Sequence, residues 1–136
     1  MKAFLIIPAM ALLGGWAVQA AVQSSPSDRE AARTASLLAG RPAGEPVSCV
    51  SLRDLRGNSS TGDGGILFES ANGTVFVNRP PGGCPDLRTY RTLVTRTLGT
   101  QLCSGDIARV VDPTNGTEYG SCGLGEFVPY PRPPRN

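Results

Sequence analysis

The chain has 136 residues, with 18% charged, 6% aromatic, 17 Gly and 12 Pro, and a formal net charge of +2. That composition excludes a coiled coil, a long helical bundle and a protein crossing the membrane many times. Histidine is absent, so the commonest general base, the commonest metal ligand and the usual partner of a Ser or Cys nucleophile are missing.

Met1-Lys2 opens the chain with one positive charge. An apolar run, AFLIIPAMALLGGWAV, follows from Ala3 to Val18, and then Val18-Gln19-Ala20. A charged start, a short apolar middle and a small-residue cut site are the pattern of a secretory signal, and cleavage is expected after Ala20. The run holds Pro8 and Gly14-Gly15 and is short of the roughly 20 residues that span a bilayer, so no stable membrane span is expected after cleavage. Of 13 basic residues, Lys2 is the only lysine; its removal leaves twelve arginines against 11 acids, a net +1. A balance this even makes no general field for nucleic acid. The loss of lysine also removes Schiff-base chemistry.

The expected organisation is a signal peptide over 1–20, a flexible linker over 21–46, a disulfide-stapled β-rich domain over 47–128 and a Pro-rich tail over 129–136. The linker is rich in Ala, Ser, Gly and Pro. Ala31 to Leu38 could form a short helix but shows no clear apolar stripe. Within the domain, Ser51-x-x-Asp54 resembles a helix cap. Ile66–Ser70 and Thr74–Asn78 read as strands around Asn72-Gly73, a preferred two-residue hairpin turn. That register sets Phe68 against Val77 and Ser70 against Val75, with Ile66, Phe68, Val75 and Val77 on one core face. Tyr90–Leu98 repeats Thr and reads as a strand, although Leu87, Tyr90, Val94 and Leu98 also keep helical spacing. A second hairpin runs from Ile107–Asp112 through Asn115-Gly116 to Thr117–Cys122. Asn58, Asn72 and Asn115 each open a glycosylation sequon; hairpin turn chemistry accounts for the last two. The fold class is therefore mainly β: a small disulfide-stapled antiparallel sheet or open barrel of four or five short strands.

Cys49, Cys84, Cys103 and Cys122 are too far apart for a zinc knuckle, and no His completes one. In an exported chain they read as two disulfides. Four cysteines allow three pairings, and the sequence does not choose among them. A nested arrangement, Cys84–Cys103 inside Cys49–Cys122, is preferred here. Chain-entropy arithmetic gives roughly 3 kcal/mol for its shorter loop and roughly 4.5 for its longer one.

Cys49-Val50-Ser51-Leu52-x-x-Leu55, Asp63, Ile66-x-Phe68, Val75-Phe76-x-Asn78-Arg79, Cys84-Pro85-x-Leu87, Leu102-Cys103-Ser104-x-Asp106 and Cys122-Gly123-Leu124-Gly125-x-Phe127-x-Pro129 form a set. Together they resemble an uncharacterised family of short exported Gram-negative bacterial proteins with a four-cysteine frame ending in CGLGxF. The likeness runs over about Cys49 to Pro129. It implies export and a shared frame, and carries over no catalytic or binding residue.

Three carboxylates, Asp54, Asp63 and Asp106, lie in turn-like sequence. As a functional group they would act as acids, bases or cation ligands; as structure, Asp106 in Ser104-Gly105-Asp106 is an Asx turn, and the other two are loop residues. The glycine clusters after Gly62 and Gly120 neither open a helix after a strand nor precede a lysine, so no phosphate cradle is expected. Arg79, Arg88, Arg91 and Arg96 are interrupted only by Asp86. They are the strongest local charge signal, a possible contact for an anion or partner. No catalytic residue, metal site or cofactor is expected. The functional expectation is a non-enzymatic binding or structural module of the cell envelope, periplasmic or secreted, with an unknown envelope component or protein as partner. One alternative is an inhibitor of a secreted hydrolase with a protruding loop over Arg56–Gly65. The other is a His-independent enzyme with Asp54, Asp63 or Asp106 in a pocket at raised pKa.

Overall fold

The computed structural model describes residues 21–135; the expected signal peptide lies outside the described residues. The chain is mainly β; the described residues form one helix and nine strands: α1 Pro26–Leu38, β1 Cys49–Ser51, β2 Leu55–Ser60, β3 Ile66–Ser70, β4 Val75–Asn78, β5 Thr92–Thr95, β6 Gln101–Cys103, β7 Ile107–Val111, β8 Glu118–Gly123 and β9 Phe127–Tyr130. The strand count exceeds the expected four or five because the frame of β1, β6 and β9 is built from pieces of three or four residues, too short to show a period of two in sequence. All pairing is antiparallel, in a four-stranded sheet β2-β3-β4-β9, a three-stranded sheet β5-β7-β8 and a two-stranded ribbon β1-β6, without barrel closure.

The central layer is the four-stranded sheet, and both of its faces are covered. Ile66 and Phe68 of β3 and Phe127 of β9 point into the main core. There Phe127 packs against Phe68 with the rings tilted and their centroids 5.6 Å apart, and meets Phe76 edge-on at 6.4 Å. Leu93, Ala108, Val110 and Cys122 of the three-stranded sheet close that core from the other side. Leu67, Val75 and Val77 point the opposite way and are buried under Leu37 and Leu38 of α1, with Tyr130 alongside. A strand covered on both faces reads as a continuous apolar run rather than an alternation, which is why Ile66-Leu67-Phe68 has no polar member.

The hairpin register differs from the expected one. β3 and β4 pair Leu67 with Val77, Phe68 with Phe76 and Glu69 with Val75. The connection is a three-residue loop, Ala71-Asn72-Gly73, closed by Ser70 N–H donating to Thr74 O (3.0 Å), with Gly73 at φ 86°. That is a turn followed by a left-handed glycine. One extra loop residue slips the register by one and sends Val75 and Val77 to the helix side.

The segment expected as a flexible linker contains α1. Ser25 is its N-cap: its hydroxyl accepts from Asp28 N–H (3.2 Å), and the Asp28 carboxylate accepts from Ser25 N–H (3.0 Å), with Pro26 in the first turn. Such a reciprocal cap satisfies two otherwise orphan donors. The docking face is Glu30, Thr34, Leu37 and Leu38, half of it polar, so the apolar stripe that marks an amphipathic helix is missing. Arg33 ties the helix down through Glu69 (2.8 Å) and Ser59 (2.9 Å). No helix forms at Ser51-x-x-Asp54; those residues close a turn in which Asp54 N–H donates to Ser51 O.

The Pro-rich tail also starts inside the fold. Pro129 and Tyr130 belong to β9, and its outer edge is lined by residues 44–47 through Val47–Phe127 bonds in both directions and Gly44 N–H to Pro129 O (2.7 Å). The missing N–H of Pro129 falls on that outer side, so no bond to β4 is lost.

The disulfides are Cys49–Cys103 and Cys84–Cys122, which interlace; the nested pairing is corrected. β1 lies against β6 with Cys49 directly opposite Cys103 and Cα atoms 4.0 Å apart. Sheet pairing across 54 residues, not local closure, decides the partner. Cys84 then reaches Cys122 of β8.

The resemblance motif has a structural explanation at its end. Asn78 is fully buried; its amide donates to Gly125 O (2.7 Å) and accepts from Gly125 N–H (2.9 Å). A Cβ on Gly125 would stand 2.6 Å from Arg79 O, so the Asn78-Arg79 and CGLGxF strings are two halves of one clamp.

Candidate functional site

The four arginines do not form one patch. Arg79 is bound to Asp63, with its Nη1 3.1 Å from both carboxylate oxygens. Arg91 donates to Asp86 O (2.9 Å) and lies over the Tyr119 ring, 3.5 Å from its centroid. Arg88 and Arg91 line a groove beside α1, whereas Arg96 lines hollows on the three-stranded sheet with Val94 and Ile107 and at the following loop. Strand β5 and its flanking loops separate residues that are neighbours in sequence.

The groove runs between α1 and the loop that follows Cys84. One part, about 440 Å³, has Ser27, Glu30 and Arg88 on its rims and glycines of two turns, including Gly64 and Gly83, along its floor. The adjoining part, about 330 Å³, shares Glu30, Ser60 and Arg88 and adds Asn58, Tyr90 and Arg91. Both walls are fixed. Glu30 of α1 accepts from Thr89 N–H (2.7 Å) and Oγ1 (2.8 Å), so helix and loop are tied directly. The two glycine turns are joined by Cys84 N–H to Gly64 O (2.8 Å). Gly62 sits so close under the helix that a Cβ there would lie 2.7 Å from Ala31 N, and its φ of +88° is left-handed.

The acidic groups of this region are engaged internally. Glu30 serves Thr89, Glu69 serves Arg33 and Asp63 serves Arg79 and the Thr61 hydroxyl. The Thr61 hydroxyl, then the Arg79 guanidinium, holds Asp63 below the usual carboxylate range, opposite to the raised value a buried general acid requires. Asp54, Asp63 and Asp106 stand on three separate turns. Asp106 sits in a turn, as expected, but not an Asx turn: its Oδ2 reaches back to accept from Cys103 N–H (2.8 Å), and its own N–H donates to Cys103 O (3.1 Å). Among the described residues the ion pairs are Arg33–Glu69, Arg79–Asp63 and Arg109–Glu118, so Arg88 faces the groove with no carboxylate of its own. Beside it Tyr90 is 89% exposed on a backbone at φ 73°, a conformation uncommon for a bulky residue. The loop expected to protrude over Arg56–Gly65 does not: Arg56–Ser60 lies within β2, Thr61 is buried, and Thr61 N–H closes the turn on Gly65 O (3.1 Å).

Sequence reasoning missed α1, Asn58 and Tyr90 as lining. The Ser25-Pro26-Ser27-Asp28 cap is a legible start signal for α1. Asn58 is marked only by its sequon; nothing in the sequence announces that its Oδ1 accepts from Leu93 N–H (3.1 Å) and fastens β2 to β5. Among the described residues no group of His, Cys, Asp and Glu is arranged to hold a metal ion, and no helix is long and apolar enough to cross a membrane. Comparison with protein-family models, curated proteins and solved structures finds no match.

Proposed function

We propose that the chain is an exported, non-enzymatic domain, periplasmic or secreted, that binds an envelope component or protein through the groove beside α1. Two disulfides support an oxidising compartment, since such bridges persist outside the reducing cytoplasm. The resemblance to exported Gram-negative proteins and the leader-like first 20 residues point the same way. The observation that carries the binding reading is the pair Arg88 and Tyr90: an arginine with no carboxylate partner among the described residues, beside an outward-held tyrosine. Arginine and tyrosine are the residues that most often dominate binding energy when a partner covers them. Their loop is anchored at Cys84–Cys122 and at Glu30–Thr89, so little ordering cost remains on association. The test is capture from an envelope extract on the immobilised, disulfide-intact chain. The expected result is a specific component recovered by the native chain and lost with Arg88→Glu or Tyr90→Ala. Equal recovery by the native chain and both variants, or no specific recovery at all, overturns the reading.

A further inference from the structure

The two parts of the groove beside α1 meet at Glu30, Ser60 and Arg88. Around that junction the side-chain acceptors are taken and the donors are not. Glu30 Oε1 accepts from Thr89, and Asp63 accepts from Thr61 and Arg79. Ser60 is only 7% exposed, and its Oγ accepts from Gly62 N–H (3.0 Å). Among the described residues its own O–H donates to nothing. Asn58 turns Oδ1 toward Leu93 N–H, which fixes the orientation of its amide. Among the described residues its Nδ2 has no acceptor, and neither has the Arg88 guanidinium. No buried side-chain nitrogen or oxygen of the described residues is left without a partner, so Asn58 Nδ2 reaches solvent. Donors left unused at the wall of a groove are met by water or by a ligand that brings oxygens.

Charge sets how many anionic groups that ligand carries. Of the charged side chains lining the groove, Arg33 is paired with Glu69 and Asp63 with Arg79. Arg91 meets only neutral groups, the Asp86 carbonyl and the Tyr119 ring, and keeps its charge. Arg88 and Arg91 against Glu30 leave an excess of one positive charge. One carboxylate matches it, whereas a polyanion or a dianionic phosphate adds repulsion from Glu30. The body of the ligand is read from the same inventory. A peptide carries N–H groups that cannot become acceptors, and the groove's side-chain acceptors are taken. An extended peptide also needs pockets for alternate side chains, and a floor of Gly62, Gly64, Gly82 and Gly83 has no side chains to shape them. A sugar hydroxyl donates or accepts as its neighbour requires. Tyr90, held outward, adds an aromatic face beside Arg88. Resting on the groove as the binding site, we infer that it takes a saccharide bearing one carboxylate. The carboxylate lies on Arg88, in the part of the groove shared with Asn58 and Ser60, and a neutral ring lies over the glycine floor.

The experiment is an amide NMR titration of the disulfide-intact chain with three probes. They are the disaccharide of glucuronic acid and N-acetylglucosamine, its carboxyl-reduced neutral form, and a blocked Glu-Gly dipeptide carrying one carboxylate. The expected result is a saturable shift of the Asn58, Gly64, Arg88 and Tyr90 amides by the acidic disaccharide, with a Kd of about 0.1 to 1 mM. The reduced sugar and the dipeptide bind about tenfold more weakly. Arg88→Gln costs the acidic disaccharide about tenfold and leaves the neutral sugar unchanged. Asn58→Asp keeps an oxygen for Leu93 N–H but exchanges the free donor for an anion, so it weakens the acidic disaccharide while slow exchange at Leu93 reports an intact fold. Arg96→Gln, outside the groove, changes nothing. No saturable shift up to about 10 mM, equal binding of the reduced sugar, or a dipeptide that binds as tightly overturns the inference. So does binding that Arg88→Gln leaves intact. Envelope capture that still depends on Arg88 and Tyr90 would then keep the groove as a binding site and remove only the acidic saccharide as its ligand.

Discussion

The four-stranded and three-stranded sheets share one core but treat their outer faces differently. β3 carries Ile66-Leu67-Phe68, and the residue between the two core positions is covered by α1. β7 carries Ile107-Ala108-Arg109-Val110, and there the burial alternates strictly. One sheet acquired its cover within the chain; the other kept an outer face on which Val94 and Ile107 stay exposed. A run of consecutive apolar residues therefore signalled a covering element, whose own sequence was too polar to announce itself.

The interlaced bridges belong to both sheets, and breaking them is the largest perturbation expected. Separations of 54 and 38 residues correspond to about 4 kcal/mol each in the chain-entropy treatment. Replacing both Cys84 and Cys122 by Ala should lower the unfolding free energy from urea titration by that amount. Cys84 and Cys122 are buried, whereas Cys49 and Cys103 are half-buried. Graded reduction followed by thiol labelling should thus open Cys49–Cys103 first.

The next effects separate the two faces. Leu67→Ala, under α1, should cost about 2 to 4 kcal/mol, the range for a buried leucine. Ile107→Thr, on the open face, should stay within about 0.5 kcal/mol. Equal losses at the two positions in urea unfolding would erase the distinction between a covered and an uncovered sheet. Asn78→Ala should cost about 1 to 3 kcal/mol, because Gly125 N–H and C=O lose their partner in a buried site; thermal denaturation measures it. Gly62→Ala should act on the helix alone. The Cβ meets α1 and the φ is left-handed, so amide exchange over Pro26–Leu38 should accelerate while the core strands keep their protection.

The smallest effect is the Asp63–Arg79 contact. A carboxyl held below its ordinary value contributes stability above the unfolded-state value, near 3.9, and loses it as pH falls through the lower folded value. Asp63→Asn should therefore destabilise slightly at pH 7, and the difference from the native chain should shrink in melts as the pH falls below the unfolded-state value. A constant difference across that range would remove the Thr61 and Arg79 contacts as its cause.

Parts of the candidate site were legible and parts were not. Arg88 was marked by charge density, and Asp106 by its turn sequence. The four arginines do not unite because the extended strand β5 carries the chain away between Arg91 and Arg96 and because Arg79 is consumed by Asp63. The repeated Thr predicts a strand from Tyr90, but β5 begins at Thr92, and the left-handed residue at position 90 ends the preceding loop. The hairpin at residues 66–78 was found, but its register slipped, because Asn-Gly also fits a three-residue loop with glycine in the left-handed place.

Local chemistry, which needs only neighbours in the chain, determined several features: the mainly β class, the two hairpins, the Thr-rich strand and the expectation that four cysteines form two bridges. Tertiary structure decided the partners of those cysteines, the side of the sheet that Val75 and Val77 face, the docking of α1 and the separation of Arg96 from Arg88. Each of these depends on which segments lie side by side across tens of residues. That adjacency is selected by burying both faces of one sheet at once, a condition no short window of sequence contains.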